Sequence, residues 1–195
     1  MEPRRTERRF AVRSYVPADR DRVLQLFVEG MQENIETSPP DVRLVIEDSE
    51  RRFIEWSLHD DLADIDAVYM ACTTSPRSHF WVLVECIEGS EGEQGKREVI
   101  QGMVGLYRVD DDYAKVRRMS IASAVRRQGL ARRLLDHIID YASKEGFRRV
   151  ILSTGQYMSA ANALYTTYGF IKTKEEPDEV GTMENHYEYC LVPHA

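Results

Sequence analysis

Alternating apolar and polar positions, interrupted by runs with a helical repeat, divide the chain into strands and helices. Arg8 to Tyr15 sets Phe10 and Val12 against polar neighbours, the signature of a half-buried strand, and stops before Pro17. Val23, Leu24, Phe27 and Met31 then recur at helical spacing, with Asp19 and Asp21 suited to the helix's positive end and Gly30 close to its exit. Thr37-Ser38-Pro39-Pro40 is a breaker, after which Glu47 to Ile65 predicts a second amphipathic helix with Phe53, Ile54, Leu58, Leu62 and Ile65 facing inward.

Phe80 to Cys86 and Val99 to Val109 are rich in β-branched and aromatic residues and predict two antiparallel strands, joined by an exposed loop over Gly89 to Lys96. Val116 to Ile121 is the next strand. A helix follows with Leu130, Leu134, Leu135, Ile138, Ile139 and Ala142 on one stripe, closed by Gly146. Val150-Ile151-Leu152 reads as a short buried strand, Ser159 to Thr167 as a small-residue helix closed by Gly169, and Asn185 to Val192 as a last strand. The segment 174–184 reads as an acidic loop. Neither an internal repeat nor a second domain boundary interrupts this order, so residues 1–195 are expected to form one α/β sheet domain, with 1–7 as a flexible tail.

Composition narrows the function. The 195 residues are 43% hydrophobic and 30% charged, enough for a single domain with a core. Twenty-six Lys and Arg against 33 Asp and Glu leave a net charge of -7, which argues against nucleic acid as a partner. The basic cluster of Arg4, Arg5, Arg8, Arg9 and Arg13 reads as a solvated tail entering the first strand. Between Glu33 and Asp66 eleven acidic residues, Glu50 and Asp61 among them, face only three arginines. That excess reads as a solvated helix face, with attraction of a cationic substrate as the alternative. No run approaches the roughly 18 apolar residues of a membrane span, so a cytoplasmic protein with no membrane partner is expected. Cys72, Cys86 and Cys190 are far apart and read as reduced structural thiols, and the five histidines lack the spacing of a helical metal site, so no metal is expected.

The most informative stretch is Met119-Ser120-Ile121 followed by Arg126-Arg127-Gln128-Gly129-Leu130-Ala131, a strand entering a helix through a short basic loop. The first N-H groups of a helix have no internal partners, and the macrodipole adds about half a positive charge there, so an anion docks without a dedicated side chain. Gly129 and the small Ala131 permit close approach. The stretch lacks the Gly-Lys-Ser/Thr of a P-loop and the three glycines of a dinucleotide fingerprint.

Arg126 to Ala131 resembles the Q/R-x-x-G-x-G/A signature of the GCN5-related N-acetyltransferases (GNAT superfamily), and Arg118-Met119-Ser120-Ile121 precedes it as that family's cofactor strand does. Ala163-Leu164-Tyr165-Thr166-Thr167-Tyr168-Gly169-Phe170 is similar to the family's A-L-Y-x-x-x-G-F element. The likeness runs from Val12-Arg13 to about Lys172. Thr154-Gly155, Ala163-Leu164-Tyr165, Asp19-Arg20 and Gly30-Met31 are further similar to the camello-type subgroup, without its hydrophobic membrane hairpin.

The resemblance implies a mixed, mostly antiparallel central sheet flanked by helices, and transfer of an acetyl group from acetyl-CoA to a primary amine of a small molecule or peptide in a ternary complex. It places the pyrophosphate on the amides of Arg126, Arg127, Gln128, Gly129, Leu130 and Ala131 and the pantetheine along Met119, Ser120 and Ile121. A β-bulge in that strand would aim an amide at the thioester oxygen. Charge-assisted N-H contacts contribute roughly 1.5 to 3 kcal/mol each, so several could hold a micromolar cofactor. Tyr165 takes the position of the general acid that donates to the departing thiolate, and Asn162, one turn before it, is the candidate for the pantetheine arm.

The family's usual carboxylates are replaced by Lys115 and Ser153, so the general base is not identified from the sequence. Asp110, Glu85 and Glu98, near sheet ends, could act through water, although solvated carboxylates are the simpler reading. A base matters: an amine of pKa about 10.4 is neutral in only about one part in a thousand near pH 7.4, a deficit of roughly 4 kcal/mol. Two other readings stay open, a non-catalytic acyl-CoA sensor on the same fold and a plain nucleotide-binding α/β protein. A homodimer through a sheet edge is compatible with the chain.

Overall fold

The computed structural model describes residues 8–71, 76–87, 97–178 and 181–191. Residues 1–7, Cys72, residues 89–96 and Val192, the last residue of the final predicted strand, lie outside them. Seven strands form one sheet: β1 (Arg9–Ser14), β2 (His79–Ile87), β3 (Arg97–Arg108), β4 (Tyr113–Ile121), β5 (Arg149–Gly155), β6 (Ile171–Pro177) and β7 (Met183–Cys190). Their order is β1-β2-β3-β4-β5-β7-β6, antiparallel at every pairing except β4 with β5. This is the mixed, mostly antiparallel sheet expected.

The two faces are covered by different helices. Phe80, Val82 and Val84 of β2 pack with Met103 of β3 and with Val23, Leu26 and Phe27 of α1 (Arg20–Thr37). Trp81 and Leu83 point the other way, toward Leu134, Leu135 and Ile138 of α3 (Leu130–Lys144). Period-two alternation in a strand buried on both sides explains why β2 reads as a continuous apolar run. Between β5 and β6 lies α4 (Ser159–Tyr168).

Three departures from the sequence pattern bear on the site. The second helix, α2, spans Pro40–His59, earlier than Glu47 to Ile65. Proline suits a helix's first turn, where its missing N-H is no loss, so Pro40 starts the helix rather than excluding it. At Asp60 the backbone leaves the helical region (φ -93, ψ -117), and Leu62 and Ile65 reach the core from the turns beyond, ahead of a single wide turn at Asp66–Met70. Gly30 sits inside α1 rather than at its exit. A Cβ there would lie 2.7 Å from Ser120 Oγ, so the glycine lets α1 cross β4 at close range.

The third correction concerns 174–184. Lys174 to Pro177 belong to β6, and Met183 and Glu184 begin β7. Strand β6 pairs with β7 alone and is exposed along most of its length. Charged side chains are how such edges avoid further pairing, and that same charge makes the segment read as loop.

Candidate active site

Strands β4 and β5 run together only at Tyr113, Ala114 and Lys115, paired with Arg149, Val150 and Ile151. Beyond them the strands part, and the gap opens into a cavity of about 710 Å³ that reaches from the α3 N-terminus to the inner face of α2. Met119, Ser120 and Ile121 form one wall, and Ser153, Thr154 and Gly155 line the opposite strand.

Strand β4 carries an irregularity at this point. Met103 pairs with Ser120 and Gly105 with Arg117, so Arg118 and Met119 oppose the single residue Val104. Arg118 takes φ 56, left-handed for a non-glycine residue, a conformation costing about 1 kcal/mol or more. Its side chain holds it there. Arg118 Nε donates to both oxygens of Asp61 at 3.0 and 3.1 Å, and its Nη1 donates to Ser57 Oγ at 2.7 Å. The guanidinium also lies among the rings of Phe27, Phe53 and Trp56, 5.1 to 5.6 Å from their centroids. Burial pushes the Asp61 carboxyl up, but the bonds and charge of Arg118, the charge of Arg117 and the Tyr69 hydroxyl hold it below the usual aspartate range. The expected bulge is present, braced by ions that charge counting had put on a solvated face.

At the cavity's other end, Gly129 caps α3 at φ 74 with no side-chain cap, and the first capping bond of the helix is Arg133 N-H to Gly129 O at 3.0 Å. The N-H groups of Leu130, Ala131 and Arg132 therefore have no earlier carbonyl of the helix to meet. Arg127 is also left-handed, φ 63, and such alternation turns successive amides into an anion-binding concavity. No atom approaches a hypothetical Gly129 Cβ within 4 Å, so the space on that side of the glycine is open. The Arg126 side chain braces the loop, donating to Ile121 O at 2.9 Å and pairing with Glu33 of α1 at 2.8 Å. Arg126, Arg127, Gly129, Leu130 and Ala131 line the cavity; Gln128 is exposed and outside the lining.

Tyr165 enters from α4. It is 8% exposed, lines the cavity, and its hydroxyl lies 3.9 Å from Met119 Sδ. Burial, with the Tyr187 phenol beside it, pushes it up to about 12. Asn162 is turned to a different purpose. Its Nδ2 donates to the carbonyls of Gly155 and Met158 at 2.9 and 2.8 Å, and its Oδ1 accepts from Asn185 Nδ2 and the Tyr187 hydroxyl at 2.7 and 2.8 Å. It bolts α4 to β5 and β7 and is absent from the cavity lining, which leaves its amide no free group for a pantetheine contact.

The candidates for a water-mediated base also lie elsewhere. Glu85 is held by Arg8 and Gln101, Glu98 by Arg13, and Asp110 accepts the N-H groups of Asp112 and Tyr113 in a turn; none lines the cavity. The acidic group that does is Glu50 of α2, 6% exposed, together with Glu184 and Asp178. Burial raises Glu50 above the usual glutamate range, Asp178 and Glu184 push the same way, and the Tyr157 hydroxyl opposes them. A signal for Glu50 existed in the sequence: with Ile46, Phe53 and Ser57 it falls at i, i+3 and i+4 spacing on one helix stripe. Lys115 also lines the cavity, and burial lowers its pKa while Glu184 opposes the fall.

A splayed parallel pair, a bulged strand and an uncapped helix N-terminus in one cavity define an acyl-CoA transferase type of fold. Residues 35–170 match the model of the acetyltransferase (GNAT) family, and the chain belongs to that family. It is 33% identical over 126 residues to N-acetylaspartate synthetase of Danio rerio, a match covering 65% of this chain and 40% of that protein. It is 33% identical over 126 residues to N-acetyltransferase 8 of Homo sapiens, covering 62% and 49%. The chain thus spans less than half the length of these relatives. A GNAT-family acetyltransferase from Staphylococcus aureus superposes at TM-score 0.68 with 16% identity over 94% of this chain and 100% of that one. A GNAT acetyltransferase from Elizabethkingia anophelis with acetyl-CoA bound superposes at 0.51 with 15% identity, over 93% and 98%. Among the described residues no helix is long and apolar enough to cross a membrane, and no cluster of potential metal ligands occurs.

Proposed function

We propose that the chain transfers an acetyl group from acetyl-CoA to the primary amine of a small molecule or peptide, by direct attack with both substrates bound in a cytosolic setting. The observation that supports this most is the placement of the Gly129 amide cradle, the unpaired length of β4 and the Tyr165 hydroxyl along one continuous cavity. The cavity fits the group. The open amides suit a pyrophosphate, and the gap beside β4 suits an extended, amide-bearing arm that pairs as an added strand would.

The bound thioester supplies an activated acyl carbon. The amides of Arg127 to Ala131 fix the carrier's charged end, and the β4 backbone from Met119 to Ile121 sets its depth. The bulge frees strand amides from the ladder to meet the acyl oxygen. Tyr165, at about 12, stays protonated throughout the physiological range and always offers a donor. Full transfer of its proton to a thiol of pKa about 8.5 lies uphill by roughly 5 kcal/mol, so its part is a hydrogen bond to the departing sulfur. Lys115 and Arg52 together with Glu50 and Glu184 give the lining both signs of charge. Such a lining favours an acceptor carrying a carboxylate beside its amine, in keeping with relatives named N-acetylaspartate synthetase.

Calorimetric titration with CoA and with 3',5'-ADP, alongside thiol release from acetyl-CoA in the presence of L-aspartate, spermidine and an alanine-initiated peptide, tests the reading. Micromolar CoA binding, weakened about tenfold by Gly129→Ala, and amine-stimulated thiol release are expected. CoA binding without release under any acceptor makes the chain a binding module instead. Equal affinity for 3',5'-ADP and CoA removes the role of the β4 gap.

A further inference from the structure

We propose that Glu50 is the base that takes the proton from the acceptor's ammonium group, at the α2 end of the cavity. The inference rests on the acetyl-transfer reading and supplies the residue that the sequence left unassigned.

Four carboxylates are buried among the described residues: Asp19, Glu50, Asp61 and Glu85. Three of them grip an arginine. Asp19 holds Arg13, Asp61 holds Arg118 and Glu85 holds Arg8. Glu50 differs, because its Oε2 is shielded from solvent and meets no hydrogen-bond partner. A buried charged oxygen left unpaired is costly, and native folds keep few of them. Here the unpaired oxygen belongs to a residue that lines the cavity shared with Tyr165 and the bulge of β4. A cation seated in that cavity would offset the charge of this carboxylate, and an acceptor ammonium is such a cation.

The surroundings tune the group. The Tyr157 hydroxyl, from the loop after β5, faces the carboxylate and works against the rise of its pKa. Its ring lies over Gly155, where a Cβ would be 2.4 Å from Tyr157 Cε1. Asp178, just after β6, and Glu184 of β7 both act on Glu50, and Thr182 Oγ1 bonds Ser49 Oγ at 2.8 Å, tying Thr182 to α2 beside Glu50. Lys115 of β4 and Arg52 of α2 complete the charged lining, with Arg117 beside Asp60 and Arg118 beside Asp61. Burial and the two neighbouring carboxylates raise Glu50 above the usual glutamate range, the direction that strengthens it as a base.

The proton ledger closes. The ammonium gives one proton to Glu50, its lone pair bonds to the acyl carbon, and the carbon–sulfur bond breaks with its electron pair on sulfur. The nitrogen loses a second proton as the amide forms and sulfur takes one up as the thiol. Net release is the single proton that Glu50 passes to solvent.

The test is the pH profile of kcat for thiol release with L-aspartate, spermidine and an alanine-initiated peptide, in the wild type, Glu50→Gln, Glu50→Asp and Tyr157→Phe. Glu50→Gln should lower kcat about 100-fold near pH 7.4 while calorimetric acetyl-CoA affinity stays within about twofold. Its residual rate should rise tenfold per pH unit up to the acceptor's own pKa, where the wild type levels off earlier. Glu50→Asp should recover part of the loss. Tyr157→Phe removes a donor that lowers Glu50, so the acid limb should move to higher pH. Retention of kcat in Glu50→Gln within about threefold, or a loss by the same factor at every pH, overturns the proposal. A wild type that turns over no acceptor while binding acetyl-CoA sinks the transfer reading and this one together. A wild type that turns over and is matched by Glu50→Gln sinks this one alone.

Discussion

Arg118 holds Asp61 through its Nε at 3.0 and 3.1 Å with both side chains buried, and it does so from the residue of β4 whose backbone is left-handed. The ion pair and the bulge are one construction: the pair fixes where β4 leaves its regular ladder, and the bulge aims the guanidinium at α2 and the turn after it. Removing one partner of a buried pair strands the other and costs about 3 to 5 kcal/mol. Asp61→Asn should lower chemical stability by about that amount. Because the folded Asp61 pKa is depressed, the stability it contributes is full above the ordinary aspartate range and is lost as pH falls through the lower folded value. Acid unfolding of the wild type should therefore be steeper than that of Asp61→Asn, a comparison circular dichroism can make.

Gly30 predicts a clash with a named partner. In Gly30→Ala the new methyl meets Ser120 Oγ at 2.7 Å, so either α1 or the serine must yield. Expected is a loss of about 1 to 3 kcal/mol, with part of it restored in the Gly30→Ala/Ser120→Ala double variant. A thermal double-mutant cycle reads the coupling, and strict additivity would refute it.

Tyr165→Phe removes the hydroxyl and keeps the ring that packs on Phe170 and Tyr187. Turnover should fall about 10- to 100-fold, while calorimetric affinity for acetyl-CoA changes less than about threefold. A loss confined to affinity would give the phenol a binding role instead.

Glu50→Gln should make the fold more stable at neutral pH, by roughly 1 to 2 kcal/mol, since it relieves a buried unpaired charge. A folded pKa raised above the unfolded one penalises folding at high pH, and the penalty disappears as pH falls through the folded value toward the ordinary glutamate range. The stabilisation, read as a shift in Tm, should shrink on acidification over that window. Glu50 would then weaken the fold while serving turnover, so Glu50→Gln should gain in Tm and lose in kcat, whereas a group that stabilised the fold would lose in both.

The sequence made legible the elements whose cause is local. The stripe of Leu134, Leu135 and Ile138, the alternation around Phe10 and Val12 and the glycine opening α3 all lie where the pattern places them. Less legible were features decided by a distant partner. Asp61 is read as surface until Arg118, 57 positions away, is seen to need it. Asn162 looks like a ligand contact until Asn185 and Tyr187 claim its oxygen. Strand β6 is concealed because an edge needs no apolar face, and Gly30 gains its meaning only from Ser120.

The parting of β4 and β5 after three rungs leaves backbone N-H and C=O groups along residues 116–121 with no strand on that side. In the free protein those amides should exchange with deuterated solvent faster than their neighbours facing β3. An extended ligand filling the gap would close the sheet from β3 to β5, and the same amides would then report occupancy by slowing down. On the proposed reading the gap is the sheet's missing seam, and a carrier paired along β4 would complete the hydrogen bonding that β5 leaves open.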